Sequence, residues 1–356
     1  MSTTAPGLAR MLPPRALDAR GLRARVLYRR LIAFTTVVTL ALIMMGAWVR
    51  LTDAGLGCPD WPGCYGHFTP HQAADKIAAA VAEQGGEHGP VSMGKAWREM
   101  SHRYVAKLVG LLSIAIAVFA WVRRETLAQS PWPATVLVGV VVLQGLFGMW
   151  TVTLQLMPII VTGHLIGGMI VFCTFVWLLH RQMQLRRYVD AEPVAALRAP
   201  ALLALAFVAL QVFLGGWTST NYAALACHDL PTCQGAWLPA TDFEEGFKLV
   251  RPLGLTPEGE LLPLTALTAI HLAHRVGAIV VLLVVGWLAA RALRTDERPL
   301  GIAVAAMLAI QLLLGLSNVF FALPLPVAVA HNGGAAVLLA LLVVLSSRAA
   351  RARLQV

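Results

Sequence analysis

Charge is scarce in this chain. Asp, Glu, Lys and Arg together make up 13% of its 356 residues, about half the roughly 25% of a soluble domain. That shortage excludes an ordinary soluble globule, and the 58% apolar share with mean hydropathy +0.71 places the chain in a membrane. Cysteine is rare, with five residues, and none shows the Cys-x2-4-Cys ligand spacing of a zinc site. No Ala-x-Ala cleavage signal follows the basic N-terminal stretch, so that stretch with its full-length apolar run reads as an anchor rather than a cleaved signal.

What the chain does have is long apolar runs. Eight are long enough to cross about 30 Å of hydrocarbon at ~1.5 Å per residue, near 31–49, 104–122, 133–152, 161–179, 200–217, 267–290, 300–321 and 327–346. The net charge of +10 is distributed unevenly along them. Arg10, Arg15, Arg20, Arg23, Arg25, Arg29 and Arg30 precede the first span; Arg123 and Arg124 follow the second. Arg181, Arg186, Arg187 and Arg198 lie between the fourth and fifth, Arg291, Arg294 and Arg298 between the sixth and seventh, and Arg348, Arg351 and Arg353 after the eighth. All fall on one side, so the positive-inside rule sets both termini in the cytoplasm and makes the basic excess topogenic rather than a nucleic-acid or lipid site.

The stretch Gly46 to Gly66 recurs as Gly215 to Gly235 at an offset of 169 residues. Gly46, Trp48, Ala54, Leu56, Cys58, Asp60, Pro62, Cys64 and Gly66 are identical in the second copy, and Gln144/Gln311, Gly148/Gly315, Val152/Val319 and His164/His331 repeat at an offset of 167. The chain is therefore two copies of one four-span unit. Both copies start in the cytoplasm, so the expected fold is an all-α membrane protein of eight transmembrane helices arranged as two tandem, parallel-repeat four-helix bundles. The segments are a basic stretch 1–30, an N-terminal half 31–180, a basic linker 181–199, a C-terminal half 200–347 and a tail 348–356.

Four cysteines lie in the two long outer loops, as Cys58-x5-Cys64 and Cys227-x5-Cys233. An oxidising compartment favours one disulfide in each, structural or redox-active. Pro59, Pro62, Gly63 and Gly66 suit the turns of such a hairpin. From His71 to Gln84 the apolar spacing is helical, consistent with a short helix on the outer interface. Cys173, in the middle of the fourth span, reads as packing.

Histidines His102, His164, His274 and His331 open spans two, four, six and eight, at similar depth near the outer leaflet. Ionisable residues inside a membrane carry a functional presumption. Two imidazoles per bundle, on different helices with glycines nearby, fit axial ligation of a haem on both faces. Arg103 and Arg275, each beside its histidine, would neutralise propionates or snorkel to the interface. Glu99 lies one turn before His102 if the helix has already begun there, whereas the other half has His271 at that place. Gln144-x3-Gly148, Gln211-x3-Gly215 and Gln311-x3-Gly315 would let helices or a flat ligand approach the backbone closely. His67, His71, His88, His180 and His228 are read as solvated.

The run Val49 to Cys64, VRLTDAGLGCPDWPGC, together with Glu99-x-x-His102-Arg103, the later His274-Arg275 and the closing histidines, resembles the haem A synthase family over essentially the whole chain. It departs at Asp53, where that family more often has glycine, a difference that bears on the local loop shape. The resemblance implies oxidation of the C8 methyl of haem O to a formyl group, giving haem A for terminal oxidases. It implies haem b as cofactor between His274 and His331 in the C-terminal half, with Arg275 beside it. The substrate haem would then sit with His102, His164 and Arg103, with Glu99 at the reacting edge.

Methyl to aldehyde is a four-electron oxidation that no side chain performs alone, so haem must carry the electrons. The implied setting is the bilayer of the cell membrane, with haem O synthase and oxidase assembly factors as partners, room for a homo-oligomer, and no nucleic acid. Two other classes fit the same residues: a haem-b electron-transfer cytochrome, and a haem carrier or assembly chaperone for an oxidase.

Overall fold

Eight helices long and apolar enough to cross a membrane make up the body of the protein. A computed structural model describes residues 19–86, 89–183 and 191–352. Arg10, Arg15, Arg186, Arg187, Arg353 and His88 lie outside the described residues. The long helices are α1 (Ala19–Leu51), α2 (Met93–Val122), α3 (Trp132–Thr153), α4 (Pro158–Met183), α5 (Arg198–Thr220), α6 (Leu264–Ala292), α7 (Arg298–Phe320) and α8 (Leu325–Ala352). No named strand occurs among the described residues; the outer loops contain only isolated β-bridges.

Several helices run past the apolar stretches, because hydropathy marks only the part that meets lipid. Helix α1 begins among arginines at Ala19. Helix α2 begins at Met93, where the Ser92 hydroxyl accepts a hydrogen bond from the Lys95 N–H at 3.2 Å and satisfies one of the free donors of the first turn. The histidines consequently sit in the second or third turn of α2, α4, α6 and α8 rather than at their starts.

Packing within the halves corresponds helix for helix. In the first half α1 packs on α2 and α4, and α3 on α2 and α4; in the second, α5 packs on α6 and α8, and α7 on α6 and α8. The halves meet through α1 on α8, α5 on α4, and α4 on α8. This pattern fits two related bundles joined about a common axis. The core follows it: one apolar cluster around Ile32, Ile116, Leu137 and Phe175 lies inside the first bundle, and a larger one around Ala204, Val285, Leu342 and Leu345 fills the second and the seam. Cys173 is unpaired and packs against the larger cluster. His180, expected to be solvated, is 6% exposed in the last turn of α4.

Residues related by the repeat touch one another at the outer end of that seam. Arg50 donates to the carbonyl of Ser219 at 2.7 Å and covers the Tyr222 ring at 4.1 Å, and the Tyr222 hydroxyl donates to Asp53 at 2.8 Å. Asp53 and Tyr222 both take left-handed backbone, at φ 47° and 56°. Glycine is the residue that adopts this conformation without cost.

Candidate functional site

The two outer hairpins are built alike. Cys58–Cys64 and Cys227–Cys233 are disulfides with Cα separations of 4.8 and 4.7 Å. In the first, Cys64 and His67 exchange backbone hydrogen bonds of 2.9 and 3.0 Å across Tyr65 and Gly66, whose φ values are 52° and 80°. Cys233 and Ala236 do the same across Gln234 and Gly235, at φ 55° and 77°. Two consecutive positive φ values define a type I′ turn, which is why glycine stands at the second position of both copies. Asp60 accepts from the N–H groups of Tyr65 and Gly66, and Asp229 from those of Gln234 and Gly235 and from the Thr232 hydroxyl. Those donors hold the Asp229 carboxyl far below the ordinary carboxylate range, the Thr232 hydroxyl foremost. The segment Ala74–Glu83, preceded by a turn of 3-10 helix, lays Ile77 and Ala80 against the first hairpin together with Ala96 and Met100 of α2.

From each hairpin the chain reaches down to the helix that carries the histidine. Arg103 is 8% exposed and donates to the carbonyls of Asp60 (2.7 Å), Gly63 (2.6 Å) and Cys58 (3.3 Å), and to Oε1 of Glu99 at 2.5 Å. Glu99, 5% exposed, accepts the Cys58 N–H on its other oxygen at 2.9 Å. In the second half Arg275 donates to the carbonyls of Cys227 (2.7 Å) and Thr232 (2.9 Å) and lies 3.2 Å from Nε2 of His271, whose Nδ1 meets the Cys227 N–H at 3.3 Å. Both guanidiniums, which the sequence suggested for propionates, thus point into the hairpins. The hairpin turns present inward carbonyls that a planar five-donor fork can satisfy together.

Beneath these anchors the histidines face each other. The rings of His102 and His164 are 6.5 Å apart between centroids. One metal ion held between two facing imidazoles, at roughly 2 Å per bond, separates ring centres by about 6 Å. Each of the four rings also lies against a glycine of the preceding helix: His102 against Gly46, His164 against Gly148, His274 against Gly215 and His331 against Gly315, with atoms 3.0 to 3.3 Å from where a side chain would start. Any larger residue would displace the ring. Among the described residues no three His, Cys, Asp or Glu side chains gather into a metal site. The separation of His102 and His164 suits a metal whose remaining ligands come from a macrocycle, and the second half repeats the same histidines against the same glycines.

Three glutamines support this arrangement, a role not apparent from the sequence. The Gln144 amide nitrogen lies 3.0 Å from Nδ1 of His164 and 2.5 Å from its carbonyl; Gln211 lies 3.0 and 2.9 Å from the same atoms of His274; Gln311 donates to the His331 carbonyl at 2.7 Å. The bonds to the backbone carbonyls fix the helix turn that carries each of these histidines, and the glutamine packs beside the rings of His164 and His274. The signal is the repeated Gln-x3-Gly, in which the glycine alone suggests close approach and the glutamine supplies the bond. The second half also buries the amide oxygens of Asn318 and Asn332 without protein partners, where the first half has Thr151 and Leu165. The two sites are similar in frame and different in lining.

A multi-pass helical membrane protein with His102 and His164 ring to ring in one half, the repeat-matched His274 and His331 in the other and a disulfide hairpin anchored to each half has the residues that haem-handling membrane proteins use. The family model described as COX15-CtaA, cytochrome oxidase assembly protein, matches residues 29–343, and the chain belongs to that family. Several proteins named heme A synthase are similar to it over most of their length. That of Shewanella oneidensis is 41% identical over 320 residues, covering 89% of this chain and 94% of its own. That of Allorhizobium ampelinum is 28% identical over 346 residues (91% and 90%), and that of Symbiobacterium thermophilum 31% over 297 residues (79% and 81%).

Proposed function

We propose that this chain oxidises the C8 methyl group of haem O to a formyl group, giving haem A for terminal oxidases. The observation that carries this reading is the presence of two repeat-matched histidine pairs, only one of which has a carboxylate, Glu99, one turn from its histidine. Family membership and the named relatives support the same activity.

His102 and His164 hold the substrate haem O in the N-terminal half. Glu99 stands near its reacting edge, where a carboxylate stabilises positive charge developing at the methyl carbon or takes its proton. Arg103 and the Cys58 N–H fix that carboxylate and offset its burial. The first hairpin covers the site and limits water. In the C-terminal half His274 and His331 would hold haem b, on helix turns fixed by Gln211 and Gln311. Haem b, when bound, would supply a relay that passes the four electrons leaving the methyl group, one at a time, to an electron acceptor outside the chain. Arg103 and Arg275 serve both sites by holding the hairpins over them. The one-sided distribution of arginines supports an orientation with both termini cytoplasmic.

The test is pigment extraction from cells that make haem O, with and without this chain. Haem A should appear only with it. Haem O left unchanged in the presence of the folded, haem-loaded protein contradicts the activity and favours an electron-transfer cytochrome or a carrier.

A further inference from the structure

Three of the four histidines are locked by the same interdigitation. A glutamine one turn before the glycine of the odd-numbered helix reaches the histidine's backbone carbonyl, and for His164 and His274 also its Nδ1. The amide oxygen of that glutamine is seated against a second glycine, three residues beyond the histidine: Gln144 on Gly167, Gln211 on Gly277, Gln311 on Gly334. A methyl group at any of these glycines would collide with the glutamine oxygen. The lock therefore needs both parts, Gln-x3-Gly on one helix and His-x2-Gly on the next.

His102 has neither part. The position one turn before Gly46 is Leu42, and the position three beyond His102 is Val105. The ring also sits differently: His102 brings Nε2 to within 3.1 Å of the place where a Gly46 side chain would start, whereas the three locked rings bring Cε1 closest to their glycines. A branched Val105 would exclude a glutamine even if Leu42 were one, so the two differences reinforce each other.

Resting on the reading that the N-terminal half receives the substrate haem, we propose that His102 is the exchangeable iron ligand of the protein, and that Leu42 and Val105 are the residues that leave it free. A site that turns over must admit one haem and release another, and an axial imidazole held by packing alone detaches at lower cost than one whose backbone carbonyl is also tied to the neighbouring helix by a glutamine seated on a glycine. His164 on the opposite face, locked by Gln144, keeps the bound haem in place while His102 lets go. In the C-terminal half both ligands are locked, as a retained cofactor requires.

The proposal is tested on purified full-length protein loaded with haem b as the probe, comparing the parent with the double variant Leu42→Gln/Val105→Gly. Two readouts that need no turnover are used: the rate of haem transfer to apomyoglobin, and the fraction of reduced haem that binds carbon monoxide. In the parent, a fast-transferring, carbon monoxide-reactive fraction should be present and should disappear in His164→Ala. In the double variant its transfer should slow at least tenfold and its carbon monoxide reactivity should fall.

The mirror variant Gln211→Leu removes a lock from His274 and should make the slow, unreactive haem of the C-terminal half reactive, which keeps the proposal testable if the double variant does not fold. Unchanged transfer and carbon monoxide reactivity in a folded, loaded double variant, or in Gln211→Leu, overturn the lock. If His102→Ala and His164→Ala both leave haem content and reactivity as in the parent, the N-terminal half is not a haem site, and the underlying reading falls with the proposal.

Discussion

Glu99 and His271 occupy the same place in the two halves and meet the same two partners with different chemistry. Glu99 accepts the Cys58 N–H on one oxygen and the Arg103 guanidinium on the other. His271 places its two ring nitrogens against the Cys227 N–H and Arg275. A carboxylate satisfies both donors, whereas a neutral imidazole accepts at only one nitrogen. The frame thus tolerates a residue that anchors less completely, and an acid at position 99 is more than the hairpin needs.

Removing the arginine should be costly. Arg103→Ala would strand a buried carboxylate and three hairpin carbonyls, and breaking a buried pair in this way costs about 3–5 kcal/mol. Thermal unfolding in detergent should fall accordingly, and Cys58–Cys64 should become more readily reduced by added thiol. Arg103→Lys should recover only part of the loss, because an ammonium cannot serve several carbonyls in a plane. An unchanged melting temperature in Arg103→Ala would show that the guanidinium does not carry the hairpin.

At Asp53 the backbone already has the conformation that glycine prefers, so Asp53→Gly trades the hydrogen bond from Tyr222 against relief of a left-handed residue. The side chain is 59% exposed and its pairing with Arg50 is screened. The expected net change lies within about 1 kcal/mol. Asp53→Ala keeps the strain and loses the bond, so it should be the less stable of the two. A double-mutant cycle with Tyr222→Phe checks this: an Asp53→Ala protein as stable as Asp53→Gly would mean the positive φ costs nothing.

The spans and the repeat were legible because membrane helices are written as long apolar runs and two copies check each other. The four histidines and the two cysteine pairs emerged from the same self-comparison. The role of Arg103 was not legible: nothing in Glu99-x-x-His102-Arg103 says that the hairpin folds back to offer the carbonyls of Cys58, Asp60 and Gly63. The spacing of four between Glu99 and Arg103 did contain their ion pair, hidden behind the spacing of three to His102. The start of α2 was missed by eleven residues, since its first turns face the outer loop and carry polar side chains that a hydropathy window passes over.

Haem b should depend on His274 and His331. Changing either to Ala should strip the tightly held haem from the purified protein, while the Cys58–Cys64 hairpin and the first bundle stay folded. The absorption spectrum and the haem-to-protein ratio report this directly. A normal six-coordinate low-spin spectrum in both single variants would place the retained haem elsewhere.

The most direct test is the pigment made by Glu99 variants in cells that supply haem O. Glu99→Gln keeps the shape of the side chain but leaves Arg103 without its carboxylate and so should melt lower, and Glu99→His installs the residue that the second half already accommodates; both should still retain haem b in the C-terminal half. Haem A should fail to form in either, with haem O or its alcohol accumulating while the parent yields haem A. Haem A produced by Glu99→Gln at the parent rate would remove Glu99 from the chemistry and leave it as an anchor for the hairpin alone.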